Sequence, residues 1–195
     1  PLPMVRSRLP VRPPRQVAQP GEGWRLAAVA AVFRQGDDDA EILLIERAHI
    51  EGDPWSGQIA FPGGRQEPGD TDLEHTARRE TSEEVGLDLT ARPGVDALGP
   101  LDEIRARARQ RIGRMAIRPY AFALDTATAR TPLQPSSAEV EAAFWTPLGT
   151  LIDPHRRTWL DASRAEIPYR FRAVDLGGGR ILWGLTWQMV VDILD

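Results

Sequence analysis

The sequence predicts an α+β fold in which a mixed sheet lies between helices. Three observations lead there: one strongly capped helical pattern in mid-chain, short apolar runs before and after it, and a second helical pattern at the end without regular β-α alternation. A chain of 195 residues with 42% hydrophobic content is long enough for one substantial core and short for two. A domain of this size buries roughly 70% of its unfolded surface.

The elements follow in order. Pro1 to Gly23 carries prolines that each remove a backbone donor and fix φ, so it is expected as an extended arm ahead of a single domain over 24–195. Such an arm is suited to wrapping a partner subunit, as in a homodimer. "RLAAVAAVF" and "EILLIERA" are apolar runs separated by the turn-rich "RQGDDDA", which fits a hairpin of buried strands; "MAIRPYAFAL" and "AAFWTPL" are further strands. Thr71 with Glu74 three residues later forms a capping-box pattern, and Gly86 stands where a left-handed residue ends a helix, so the central helix is expected from Asp72 to Val85. "ILWGLTWQMVVDIL", Ile181 to Leu194, is expected as a closing helix.

Composition narrows the function. A formal net charge of -4 argues against general nucleic-acid binding, which needs a positive footprint. All 24 basic residues are arginine, so a bound phosphate or carboxylate meets forked guanidinium donors. With no cysteine, disulfides, thiolate metal sites and cysteine nucleophiles are excluded. The longest apolar run, Leu26 to Phe33, is far short of the roughly 20 residues that span a bilayer, and no signal-peptide core is present, so a cytoplasmic protein without membrane association is expected.

The central helix concentrates like charge. At about 100° per residue, Leu73, Ala77, Thr81 and Val85 form an inward stripe, and Glu80 and Glu84 lie roughly 40° apart along its edge with Glu83 beside them. A solvated acidic face paired with Arg78 and Arg79 would tolerate such crowding at a few tenths of a kcal/mol per pair. Carboxylates beside a buried stripe are costly unless cations neutralise them, and an all-oxygen set suits hard Mg²⁺ or Mn²⁺. Arg79, four residues before Glu83, can orient one carboxylate. The preceding loop, "PGGRQEPGD", has the glycines and prolines of a tight turn whose backbone approaches a ligand closely.

Loop and helix together resemble the box of the Nudix hydrolase family. Arg79-Glu80-Thr81-Ser82-Glu83-Glu84-Val85-Gly86-Leu87 matches its second half, with Thr81 at an aliphatic position. In the first half Gly64 is followed by five residues and Asp70 where the family has Glu, and eight residues, one more than usual, separate Asp70 from Arg79. The extra residue leaves the helical phase of the glutamates intact, and Asp70 is left outside the expected site. The resemblance implies an α/β/α sandwich that holds Mg²⁺ or Mn²⁺ against a substrate diphosphate. By position, Glu80 and Glu84 would be principal ligands, Glu83 would serve a second ion or a water, the Gly63 carbonyl would be a further ligand, and Arg79 would orient the carboxylates.

"SGQIAFPGG", with Arg47 upstream, and the tail "RILWGLTWQMVVDIL" resemble the coenzyme A diphosphatase branch, although "AHIEGDPW" departs from its basic spacer. That branch implies coenzyme A or its thioesters as substrate, with Arg47 in contact. Hydrolysis of ADP-ribose, a nucleotide sugar or a nucleoside triphosphate stays open, as does a Nudix-fold module that senses a nucleotide without cleaving it. Arg105, Arg107, Arg109 and Arg111 alternate; on a strand they would present one guanidinium face to a phosphate, with Arg107 and Arg109 at its centre, or they protect a solvated edge. Trp55 either stacks on an adenine or closes over the core. Glu139 and Glu141 are general-base candidates, since the base in this family often comes from a late loop, or they are surface charges.

Overall fold

The computed structural model describes residues 13–18, 23–53, 55–90, 93–106, 114–164 and 167–194. Its elements are β1 (Arg25–Gln35), β2 (Ala40–Arg47), β3 (Ile59–Ala60), β4 (Gly63–Arg65), α1 (Leu73–Val85), β5 (Val95–Pro100), β6 (Ile104–Ala106), β7 (Met115–Leu124), β8 (Val140–Pro147), α2 (Leu148–Ile152), β9 (Arg157–Arg164), β10 (Ile167–Gly177), β11 (Arg180–Trp183) and α3 (Gly184–Leu194).

β1 and β2 form the expected hairpin, pairing Phe33 with Ile42 and Gln35 with Ala40, and then diverge. The chain from 59 to 65 fills the fork: β3 pairs with β2 through Ile45 and Ala60, and β4 pairs with β1 through Val29 and Gly63. On its other side β1 runs parallel to β7, whose outer edge carries β5 and β6, while β8 covers the outer edge of β2. One sheet of eight strands results, mixed in direction, and β9, β10 and β11 form a second, antiparallel sheet.

Both faces of the large sheet are covered, which explains why β1 and β2 read as continuous apolar runs instead of alternating ones. Ala28, Ala30, Val32, Leu43 and Ile45 face a core shared with Leu73, Ala77 and Val85 of α1. Ala31, Phe33, Ile42 and Leu44 face the opposite core, closed by Trp187, Met189, Val190 and Ile193 of α3. The α+β class and the mixed sheet between helices are therefore the observed architecture.

Two expectations are corrected, and a third falls mostly outside the described residues. The N-cap of α1 is Asp72, whose carboxylate accepts the His75 N–H at 2.8 Å, so the helix starts one residue later than the Thr71 capping box implied. The closing helix starts at Gly184, because Ile181–Trp183 extend as β11 against β10 and Gly184 at φ 69 breaks the path between strand and helix. Of the alternating arginines only Arg105 falls on a described strand, where it is exposed and lies over the Trp24 ring at 5.3 Å; Arg107, Arg109 and Arg111 lie outside the described residues. In the described part of the proline-rich arm, residues 13–18 form no helix or strand and run beside the loop before β6, where Glu103 accepts the Val17 N–H at 2.7 Å. No described helix is long and apolar enough to cross a membrane.

Candidate functional site

The site lies where the fork meets α1. Gly63 sits at φ 153, and a Cβ there would meet the Ala28 carbonyl at 2.3 Å, so only glycine lets β4 pass so close to β1. A Cβ on Gly64 would meet the Glu80 carboxyl carbon at 2.4 Å. The glycine pair thus lets the helix press a carboxylate against backbone.

Glu84 is 2% exposed and accepts the Gly63 N–H at 2.8 Å. Arg47 Nη1 stands 4.0 Å from its other oxygen, an ion-pair distance without a hydrogen bond. Burial pushes the Glu84 carboxyl up to about 8; the Gly63 N–H and Arg47 oppose this, and the charges of Glu80 and Glu139 add to it. Glu80 is also raised, first by burial, with Arg79 pulling against it.

Arg79 is held by a different carboxylate. Its Nε donates to Asp70 Oδ1 at 2.9 Å and its Nη2 to Asp70 Oδ2 at 3.0 Å, a bidentate pair. Asp70, with a side chain 1% exposed, also accepts the Thr76 hydroxyl and the Glu67 N–H, and its carboxyl lies well below the usual range because Arg79 donates to it. From this anchor Arg79 reaches Glu83 at 2.8 Å and Glu80 at 3.0 Å. Thr81, at the position expected to be aliphatic, is fully buried and donates to the Ala77 carbonyl at 2.7 Å, so its hydroxyl is satisfied inside the helix.

Asp70 thus joins the candidate site, although the sequence left it outside. The signal was the five residues between Gly64 and Asp70; the extra residue between Asp70 and Arg79 obscured it. Of the remaining candidates, Arg47 and Trp55 line a cavity of about 350 Å³ that also touches Gly63 and Gly64. Glu139 is exposed, and its charge acts on Glu80 and Glu84; Glu141, also exposed, lies on β8.

Among the described residues no three acidic or imidazole side chains are gathered in coordinating geometry, and Glu80 and Glu83 are both paired with Arg79. The donor set still fits a hard divalent cation: it is all oxygen, and the buried Glu84 accepts one hydrogen bond, with the Arg47 guanidinium no nearer than 4.0 Å.

A family model described as the NUDIX domain matches residues 24–167. The chain belongs to the Nudix family. Among curated relatives, "Uncharacterized Nudix hydrolase NudL" of Yersinia enterocolitica is 30% identical over 76% of this chain and 70% of its own length. "Mitochondrial coenzyme A diphosphatase NUDT8" of Homo sapiens is 31% identical over 67% of this chain and 51% of its own length. Several of the curated relatives are longer proteins, of which the chain spans about half; "Nudix hydrolase 15, mitochondrial" of Arabidopsis thaliana, covered over 56%, is one. The MutT/nudix family protein from Enterococcus faecalis superposes with a TM-score of 0.58 at 17% identity, covering 91% of this chain and 63% of that one, which shows the Nudix fold.

Proposed function

We propose that the chain is a Mg²⁺- or Mn²⁺-dependent hydrolase that splits the diphosphate linkage of coenzyme A or its thioesters into 3′,5′-ADP and 4′-phosphopantetheine or its acylated form. The observation that carries the hydrolase reading is the pair of raised carboxylates, Glu80 and Glu84, packed against the Gly63–Gly64 backbone. All three glutamates of the box are retained, which favours cleavage over mere sensing. The coenzyme A substrate is supported by the segment from Ser56 to Gly64 and by the likeness to the human diphosphatase.

Glu80, Glu84 and the Gly63 carbonyl would hold the ion, with Glu83 beside them. When bound, it supplies charge neutralisation at the phosphoryl oxygens and a reactive water at neutral pH. Arg79, fixed by Asp70, sets the orientation of the carboxylates. Water adds to phosphorus, the bridging P–O bond breaks with its electron pair leaving on the departing phosphate, and Glu139 takes the water's proton. Glu141 is the alternative base. Trp55 and Arg47 contact the substrate, and Arg107 and Arg109 grip a phosphate.

The test is a panel of coenzyme A, dephospho-coenzyme A, ADP-ribose, a nucleotide sugar and a nucleoside triphosphate with Mg²⁺ or Mn²⁺, products being identified by mass. Coenzyme A should turn over fastest, and dephospho-coenzyme A more slowly because an arginine site is left without its phosphate. Turnover of ADP-ribose with coenzyme A inert would contradict the substrate; inertness of the whole panel would contradict the hydrolase.

A further inference from the structure

On the α3 side of β4, opposite the glutamates, the cavity is lined mainly by apolar side chains, among them Val29, Trp55, Phe61, Ile117, Leu185 and Met189. Its size falls in the range of small-molecule sites. Three charged residues reach it: Arg47, Asp53 and the exposed Arg65. Asp53 does two things at once. Its Oδ2 accepts from Arg47 Nη2 at 3.1 Å, and its Oδ1 accepts the backbone N–H of Trp55 at 3.0 Å, so one carboxylate fixes both the guanidinium and the chain that carries the indole.

The result is a particular pattern of donors and acceptors. Arg47 spends Nη2 on Asp53 and turns Nη1 toward Glu84, while its Nε is buried without a hydrogen-bond partner. The guanidinium charge at the cavity wall is thus already matched by the Asp53 carboxylate. A further anionic group there would face that carboxylate, whereas an uncharged amide could accept from the guanidinium through its oxygen and donate to Asp53 through its nitrogen. Arg65 offers little compensation, because its exposed charge is screened by solvent.

We propose that Asp53 and Arg47 form a specificity gate that admits an uncharged substrate tail, with an amide or hydroxyl at the gate and its apolar part in the cavity. This rests on the diphosphate-hydrolase reading for its place in a reaction: a substrate diphosphate held by the glutamates sends its tail past Arg47 into the cavity. Asp53 acts twice, accepting from the tail directly and holding Arg47 and Trp55 in place.

Binding of octanamide and octanoate to the full chain, measured by calorimetry, tests the gate without turnover. Octanamide should bind at least about tenfold more tightly than octanoate, a ratio that one unfavourable charge contact supplies. In Asp53→Asn the freed guanidinium should accept the carboxylate and bring the ratio close to one, whereas Asp53→Glu should restore it. Equal or tighter binding of octanoate to the unaltered chain overturns the gate. So does failure of both ligands to bind, or an unchanged ratio in Asp53→Asn. Inactivity toward every diphosphate would instead contradict the hydrolase reading and leave the binding ratio to judge the gate.

Discussion

Asp70, just before α1, and Glu84, near its end, both have side chains closed to solvent, the second more deeply buried, and are treated in opposite ways. Asp70 receives two hydrogen bonds from Arg79, one from Thr76 and one from the Glu67 backbone, and its carboxyl is pulled below the usual range. Glu84 receives one from Gly63, with Arg47 at 4.0 Å, and is pushed up to about 8. The first arrangement is complete in the folded chain. The second is an incompletely matched charge, which a structure tolerates where a cation or a proton finishes it.

The comparison breaks most sharply by substitution. Glu84→Gln should lower turnover of the best diphosphate by about a thousandfold at saturating Mg²⁺, since a neutral amide is a poor ligand for a hard ion, and it should leave metal-free Tm unchanged or higher. Near-normal turnover would show that Glu84 is only a buried acid. Asp70→Ala should do the reverse in kind: a loss of about 3 kcal/mol in denaturant unfolding, because Arg79 is left without its buried partner. Its turnover should also fall, as Arg79 then orients Glu80 and Glu83 poorly; full stability would remove Asp70 from the account.

Gly64→Ala places a carbon against the Glu80 carboxyl and should cost turnover while unfolding changes little, because Glu80 can swing outward. Unchanged kcat in that variant would mean that Glu80 need not sit against β4. Replacing both Arg107 and Arg109 with alanine should raise KM with kcat nearly constant, as expected when ground-state and transition-state phosphates are gripped alike.

The smallest effects are in pH. Glu84 has a folded pKa above its ordinary value of 4.5, so its protonated form stabilises the metal-free fold. That contribution is fully present below about 4.5 and is lost as pH rises through about 8, with a slope approaching about 1.4 kcal/mol per pH unit for one proton. Asp70 has the opposite sign: its contribution is present above its ordinary value of 3.8 and is lost as pH falls below that toward its folded value. Unfolding of the metal-free chain against pH should show both limbs, and Glu84→Gln should shrink the one between about 4.5 and 8 to the part that Glu80 contributes.

How much of this was legible follows from which signals are local. Gly86 and the capping pattern that includes Glu74 announced α1 because caps act within a few residues, and β1, β2 and β7 announced themselves because burial on both faces gives each an apolar run, interrupted in β7 by Arg118 and Pro119. The fork strands β3 and β4, of two and three residues, carry no periodicity, and only the divergence of β1 and β2 creates them. Ile181–Trp183 read as helix because an apolar run has the same composition in either state, and β10, which pairs with it, decides. The glutamates were read from helical phase, but full burial of Glu84 depended on β4 closing over it. Asp53 offered no pattern, since its partners Arg47 and Trp55 meet it only through the folded turn.

In the metal-dependent reaction proposed above, Glu80 and Glu84 form an incompletely neutralised pair that a divalent cation completes. Calorimetric titration of Mn²⁺ into the full chain, repeated in buffers of different ionisation enthalpy, tests it most directly. At pH 7 the ion should bind with release of close to one proton, because Glu84 with a pKa of about 8 is largely protonated there, and the release should vanish near pH 9 or above. Glu84→Gln should bind weakly and release none. Equal binding by wild type and Glu84→Gln, or binding without proton release at pH 7, would contradict the account.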